Sequence, residues 1–262
     1  MKKLSLALVG AGGIGTTVLR EIREGRLEGK VEPVLVCDRH PEKLKRIERW
    51  FPDCDTSTDL DDAMSAEADV LLEAASVEAA ASLLPDALKR FDVIVMSVGA
   101  LVLEEGLLSR CREVAEVTGH RLHVPSGAVG GLDVLRALRG RVREVTLTTI
   151  KPPKALNKDV SERTVLYEGS VRDAVRKFPK NINVAAAVSL AVGDPSLVTV
   201  RIVCDPEVSV NTHVIEVESS AGTYRFELRN EALPDNPKTS AVAAYSAVAL
   251  IERMTEGIRV GT

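Results

Sequence analysis

The chain has 262 residues, 45% of them hydrophobic and 27% charged, which suits a folded globular protein of one large domain or two modest ones. That much apolar side chain excludes intrinsic disorder, and 18 glycines at no triplet period exclude a collagen-like rod. A net charge of −4 and 3% aromatics exclude a basic nucleic-acid binder, and no apolar stretch approaches the roughly 18 residues of a membrane helix.

An apolar run over 4–9 follows two lysines. It is too short for a secretory leader and runs into glycines rather than a cleavage site, so a strand is expected. Helices are expected over 16–26, 41–50, 60–64, 77–90 and 104–118. Strands are expected over 34–37, 70–74, 92–97 and 121–124. This alternation predicts an α/β, Rossmann-type domain over 1–125, with parallel strands that are apolar throughout because both sheet faces are covered. After Pro125 the pattern changes. A helix over 131–139 precedes strands over 142–150, 164–168, 197–204, 212–219 and 223–229, several of them alternating with period two. Helices over 170–177 and 183–192 interrupt, and Ser220-Ala221-Gly222 predicts a hairpin turn. The segment 126–237 is therefore expected to form an α+β domain for substrate and dimer contacts. The last helix, within 238–262, should return to the first domain.

Gly10-Ala11-Gly12-Gly13-Ile14-Gly15 follows the first strand and opens the first helix, the context a dinucleotide site requires. Gly10 permits the tight turn, Gly12 lets backbone approach a pyrophosphate, and Gly15 lets helix and strand pack closely, while Gly13 and Ile14 present the helix N-terminus to the phosphates. Asp38 ends the second strand 23 residues beyond Gly15, the place of the acid that accepts from the adenosine ribose. NAD is the expected cofactor, and Arg39 and His40 keep NADP open because a cation there could hold a 2′-phosphate. Small residues after later strands, Ala75 and Ser76 among them, leave room for the nicotinamide half. Four scattered cysteines with no CxxC pair suggest neither a zinc site nor disulfides, and a reducing, cytoplasmic setting.

Five segments taken together resemble the L-aspartate dehydrogenase family. They are the glycine loop, Pro125-Ser126-Gly127-Ala128-Val129-Gly130-Gly131-Leu132-Asp133, Phe178-Pro179-Lys180-Asn181-Ile182-Asn183-Val184-Ala185-Ala186, Asn211-Thr212-His213, and Asn236-Pro237-Lys238-Thr239-Ser240. More distantly, the layout is similar to homoserine dehydrogenase and dihydrodipicolinate reductase. The resemblance implies NAD- or NADP-dependent oxidation of L-aspartate to iminoaspartate. That imine hydrolyses to oxaloacetate and ammonia or feeds quinolinate and NAD synthesis, which implies a link to quinolinate synthase. It also places His213 on the catalytic histidine, and Ala128 and Asn183 on cofactor-contacting positions.

On residue chemistry alone, a histidine suits proton transfer at neutral pH, and His123 competes with His213. Asn183 at a helix start also suits an N-cap, and 126–131 suits an interdomain turn. A dicarboxylate asks for cations and donors. Lys151, Lys154, Lys158 and Lys180 are candidates, and Lys238, Thr239 and Ser240 are preferred because Thr239 and Ser240 should open the final helix. A homodimer is expected through the second domain's open sheet face. A non-catalytic module that senses NADH is the rival from a different class.

Overall fold

The structure is a computed structural model that describes residues 2–178, 182–234 and 236–260. The chain divides into two compact units, one built from residues up to Pro125 together with Ala243–Arg259, the other from Ser126–Val242. The first contains β1 (Leu4–Val9), α1 (Gly13–Glu24), β2 (Val31–Cys37), α2 (Pro41–Trp50), β3 (Asp55–Ser57), α3 (Leu60–Ser65), β4 (Val70–Glu73), α4 (Val77–Ala87), β5 (Asp92–Val95), α5 (Ala100–Leu103), α6 (Leu107–Thr118) and β6 (Leu122–His123). The second contains α7 (Leu132–Ala137), β7 (Val142–Lys151), α8 (Pro153–Leu156), β8 (Thr164–Ser170), α9 (Val171–Lys177), α10 (Ile182–Val192), β9 (Val198–Cys204), β10 (Asn211–Ser219), β11 (Gly222–Asn230), β12 (Ala232–Leu233) and β13 (Asn236–Ser240). The chain then runs into α11 (Ala241–Thr255).

In the first unit the strands run parallel in the order β3-β2-β1-β4-β5-β6. Parallel strands need crossovers, and the helices cover both faces. Leu6, Leu8, Val70 and Leu72 therefore bury completely, and Ala247, Val248 and Ile251 of α11 complete the same core. Chain order reverses between β1 and β4, which opens a crevice at the carboxyl ends of those strands.

The second unit is a five-stranded sheet, β11-β10-β7-β9-β8, antiparallel except for β7 beside β9. Along β10, His213, Ile215 and Val217 point to one face, and Thr212, Val214 and Glu216 to the other. Phe226, opposite Ile215, meets Gly131 at the start of α7, so His213 lies on the helix-covered face. The other face carries rows of Arg and Glu around a small apolar cluster of Ile150, Val203 and Val214.

Several expectations shift. Glu73 breaks the all-apolar rule, because β4 ends on a fully buried carboxylate. The helix expected over 104–118 becomes α5 and α6, since Gly106 takes φ +74° between them. β3 is a polar edge strand with no apolar run to announce it. The hairpin is tighter than Ser220-Ala221-Gly222, because Gly222 already pairs with Ser219. Ser240 pairs with Ala232 in β12–β13, so the final helix begins at Ala241 and the second unit runs past residue 237 to Val242. All four cysteines are free and buried, and among the described residues no helix is long and apolar enough to cross a membrane.

Gly131 sits at φ +78°, and a Cβ there would lie 2.7 Å from the Phe226 ring. Gly140 has a similar φ of +73° but open space around it. Gly131→Ala should therefore destabilise the protein by about 3 kcal/mol and Gly140→Ala by about 1 kcal/mol, as read by denaturant unfolding. Equal costs would mean that the Phe226 contact does not constrain this turn.

Candidate active site

Gly10 takes φ +103° and donates its N–H to the Cys37 carbonyl at 2.7 Å, so the glycine turn closes against the end of β2. A Cβ on Gly15 would lie 2.1 Å from the Gly10 carbonyl, and one on Gly10 would lie 2.5 Å from the Ala74 carbonyl. Those two positions are glycine because backbones meet there. Gly12 differs, since nothing lies within 4 Å of where its Cβ would be. It precedes α1 with no side-chain cap, and Gly13, Ile14 and Gly15 form the first turn. A helix N-terminus behind an unobstructed glycine fits the pyrophosphate of a dinucleotide.

Asp38 is buried. Its carboxylate accepts from Ala11 N–H at 2.8 Å, from His40 N–H at 2.9 Å, and from Lys43 Nζ at 3.0 and 3.2 Å. Burial works to raise this carboxyl, but the bonds from His40, Lys43 and Ala11 outweigh it and hold it below the usual carboxylate range. Arg39 is exposed and donates Nε–H to the His40 ring at 3.2 Å. Lys43 was not singled out from the sequence. The signal was there, because Pro41 starts α2 and a cation two residues later faces back toward Asp38.

Ala75 and Ser76 follow β4, but both spend their N–H groups on Glu73 Oε1, at 2.8 and 3.1 Å, and the Ser76 hydroxyl caps α4 at Ala79 N–H. Burial pushes the Glu73 carboxyl up, against the pull of these donors and of Ser97.

In the second unit His213 is 6% exposed, and its Nδ1 lies 3.0 Å from Thr149 Oγ1. The register of β10 against β7 sets this pair directly opposite one another. Burial, with Lys151 adding repulsion, lowers the imidazole to about 4, so it is neutral at neutral pH. Thr149 was missed because only the strand register reveals it. The Ala128 carbonyl accepts from Asn230 Nδ2 at 2.8 Å, and Asn230 pairs with Asn211, so the 126–131 turn is tied to the strand end carrying the Asn211-Thr212-His213 triplet.

Other expectations need correction. Asn183 lies inside the first turn of α10 and is exposed, so it is not the N-cap. Ser240 ends β13, Thr239 lies within it, and Ala241 N–H already donates to the Glu231 carbonyl, so that amide is not offered to a carboxylate. The Ser240 hydroxyl is buried without a hydrogen-bond partner among the described residues. Lys238 shares β13, and its side chain lies outside what is described, as does Lys180 altogether. His123, the rival base, belongs to the first unit beside Asp92 at 3.6 Å, and burial lowers it.

Residues 133–254 match the family model described as aspartate dehydrogenase, C-terminal, and residues 10–125 match that of the homoserine dehydrogenase NAD-binding domain. The chain is 37% identical to the L-aspartate dehydrogenase of Methanocaldococcus jannaschii over 99% of its length and all of the relative. It is 40% identical to that of Methanothermobacter thermautotrophicus, covering 99% of both chains. The crystal structure of Thermotoga maritima aspartate dehydrogenase superposes with a TM-score of 0.83 at 29% identity, covering 99% of this chain and all of that one. A scyllo-inositol dehydrogenase from Lactobacillus casei, at 12% identity and a TM-score of 0.59 over 97% of this chain and 88% of that one, shares the fold.

An imidazole neutral down to about pH 4 when folded, but charging near pH 6.5 when unfolded, makes the unfolded chain bind the extra proton in that window. Stability should therefore fall as pH drops from 6.5 to 4, by roughly 3 kcal/mol from this group. The loss should be smaller by that amount in His213→Gln, measured by urea unfolding across the window. Parallel curves for the two proteins would show that His213 is not held neutral.

Proposed function

The chain belongs to the L-aspartate dehydrogenase family, and we propose that it oxidises L-aspartate to iminoaspartate with NAD, accepting NADP as well. The imine hydrolyses to oxaloacetate and ammonia or feeds quinolinate synthesis, which links the chain to quinolinate synthase. The observation that carries this proposal is the state of His213, a buried neutral imidazole set on the Thr149 hydroxyl. Buried Asp38 supports NAD as an acceptor for the adenosine ribose hydroxyls. Lys43 and Arg39 bring cations to the same place, which supports NADP. Four free thiols support a reducing, cytoplasmic setting.

The nicotinamide ring, when bound, supplies the acceptor for the hydride that leaves the substrate Cα. The protein's own residues handle protons and charge. In the tautomer that donates Nδ1–H to Thr149 Oγ1, Nε2 of His213 is left as an acceptor. It takes a proton from the substrate ammonium, because only a neutral amine can release hydride. Burial and Lys151 disfavour the imidazolium, so the proton is passed on to bulk water rather than kept. The same nitrogen then draws a proton from the water that attacks the imine carbon. Ala128 and Asn183 are assigned to the nicotinamide half. Lys238, Thr239 and Ser240 are assigned to the substrate carboxylates, and the Ser240 hydroxyl, without a hydrogen-bond partner among the described residues, supports that role.

We also propose a homodimer through the open sheet face. A concavity of about 1000 Å³ lies over it, lined by Arg201, Arg225 and Arg229 among Glu168, Glu216 and Glu227. A face that carries both signs of charge can meet a copy of itself about a two-fold axis, with each intrachain pair exchanging partners across it. Light scattering at micromolar concentration should give twice the chain mass, and a monomeric mass would refute the dimer. With oxaloacetate, ammonium and NADH, NADH absorbance should fall only when both substrates are present. His213→Ala should lower kcat by about 100-fold or more. Turnover without ammonium, or undiminished in the variant, would overturn the proposed activity or the role of His213 respectively.

A further inference from the structure

Glu73 is a fully buried carboxylate that the proposed chemistry does not use. It ends β4, level with Val9 on β1 and Val95 on β5, at the reversal of strand order. No cation pairs with it among the described residues. Four donors converge on it instead: Ala75 N–H at 2.8 Å, Ser76 N–H at 3.1 Å and Ser97 Oγ–H at 2.9 Å on Oε1, with Ser97 N–H at 3.0 Å on Oε2. One carboxylate thus fixes the chain just beyond two neighbouring strands.

The fold says which part of a ligand those segments serve. A doubly wound sheet is built of two mononucleotide-binding halves. Asp38 follows β2 in the first half, with the adenosine ribose. β4 and β5 belong to the second half, so their carboxyl ends serve the nicotinamide mononucleotide. Gly10 abuts the same place, since its missing Cβ would strike the Ala74 carbonyl. The Glu73 clamp therefore holds one wall of the crevice at a fixed distance from the glycine turn.

We propose that Glu73 is a positioning residue for the nicotinamide half of the dinucleotide, acting through the backbone of Ala75, Ser76 and Ser97; this rests on the dinucleotide reading given above. A purely structural role is the rival, in which Glu73 only satisfies amides that strand ends would otherwise leave orphaned. The two differ in what they predict for a ligand that lacks nicotinamide. ADP-ribose keeps the adenosine and pyrophosphate and has no ring to place.

The experiment is direct binding of NAD and of ADP-ribose by calorimetry to the wild type, Glu73→Gln and Ser97→Ala. Glu73→Gln should raise the Kd for NAD on the order of tenfold and leave ADP-ribose within about twofold. Ser97→Ala removes one donor and keeps the carboxylate, so it should shift NAD alone by about threefold. Equal weakening of both ligands, or unchanged NAD binding, overturns the proposal. If Glu73→Gln does not fold, the Ser97→Ala comparison decides by the same criterion. A wild type that binds ADP-ribose but not NAD overturns the role of Glu73 alone, and one that binds neither overturns the dinucleotide reading and the role of Glu73 with it.

Discussion

Three backbones crowd together at Gly10. The β1 turn closes on the Cys37 carbonyl, α1 leaves over it at Gly15, and the chain after β4 presses against it at Ala74. No side chain can stand at either glycine without pushing backbone aside, so the direction of α1 relative to β1 is set by contact rather than by flexible turn chemistry. Asp38 closes the same knot from β2 by accepting the Ala11 amide. The acid proposed for the ribose is thereby tied to the loop proposed for the phosphates. A movement of one carries the other, which is how a few short loops can hold a long dinucleotide in one register.

The second unit solves a different problem, which is to keep a buried imidazole uncharged. A sheet covered by helices on one face buries whatever alternates inward, and His213 alternates inward with Ile215 and Val217. Burial and the neighbouring Lys151 both favour the neutral ring, and the Thr149 hydroxyl fixes which nitrogen faces away. None of this needs a charged partner of the Asp–His kind. The cost is carried by the fold, since an imidazole that cannot charge lowers stability in acid.

The strand–helix alternation of the first unit was legible because both of its signals, apolar runs and the glycine loop, are local. Period two likewise announced the second sheet. What escaped depends on pairing distant segments. Thr149 is one of several threonines in β7 until the register sets it against His213. Glu73 looks like the polar end of a strand until β5 brings Ser97 alongside. Breaks also escaped where a single residue overrides propensity, as Gly106 does in dividing α5 from α6. The start of α11 was misjudged because Thr239-Ser240 carries a good capping signal, and the β12–β13 pairing claims those residues first.

The membership of α11 in the first unit has a bearing on how the protein is made. Ala247, Val248 and Ile251 pack with Leu6, Val18 and Leu19, and Glu252 is bound by Arg26 and Lys30. A ribosome delivers Leu6 more than two hundred residues before Ile251. The nascent nucleotide-binding segment is thus exposed with an apolar groove where α11 belongs, while the whole sheet-bearing unit is still being synthesised. Its hydrophobic surface is closed only once α11 has been made, so residues synthesised early in this span are completed by residues synthesised late.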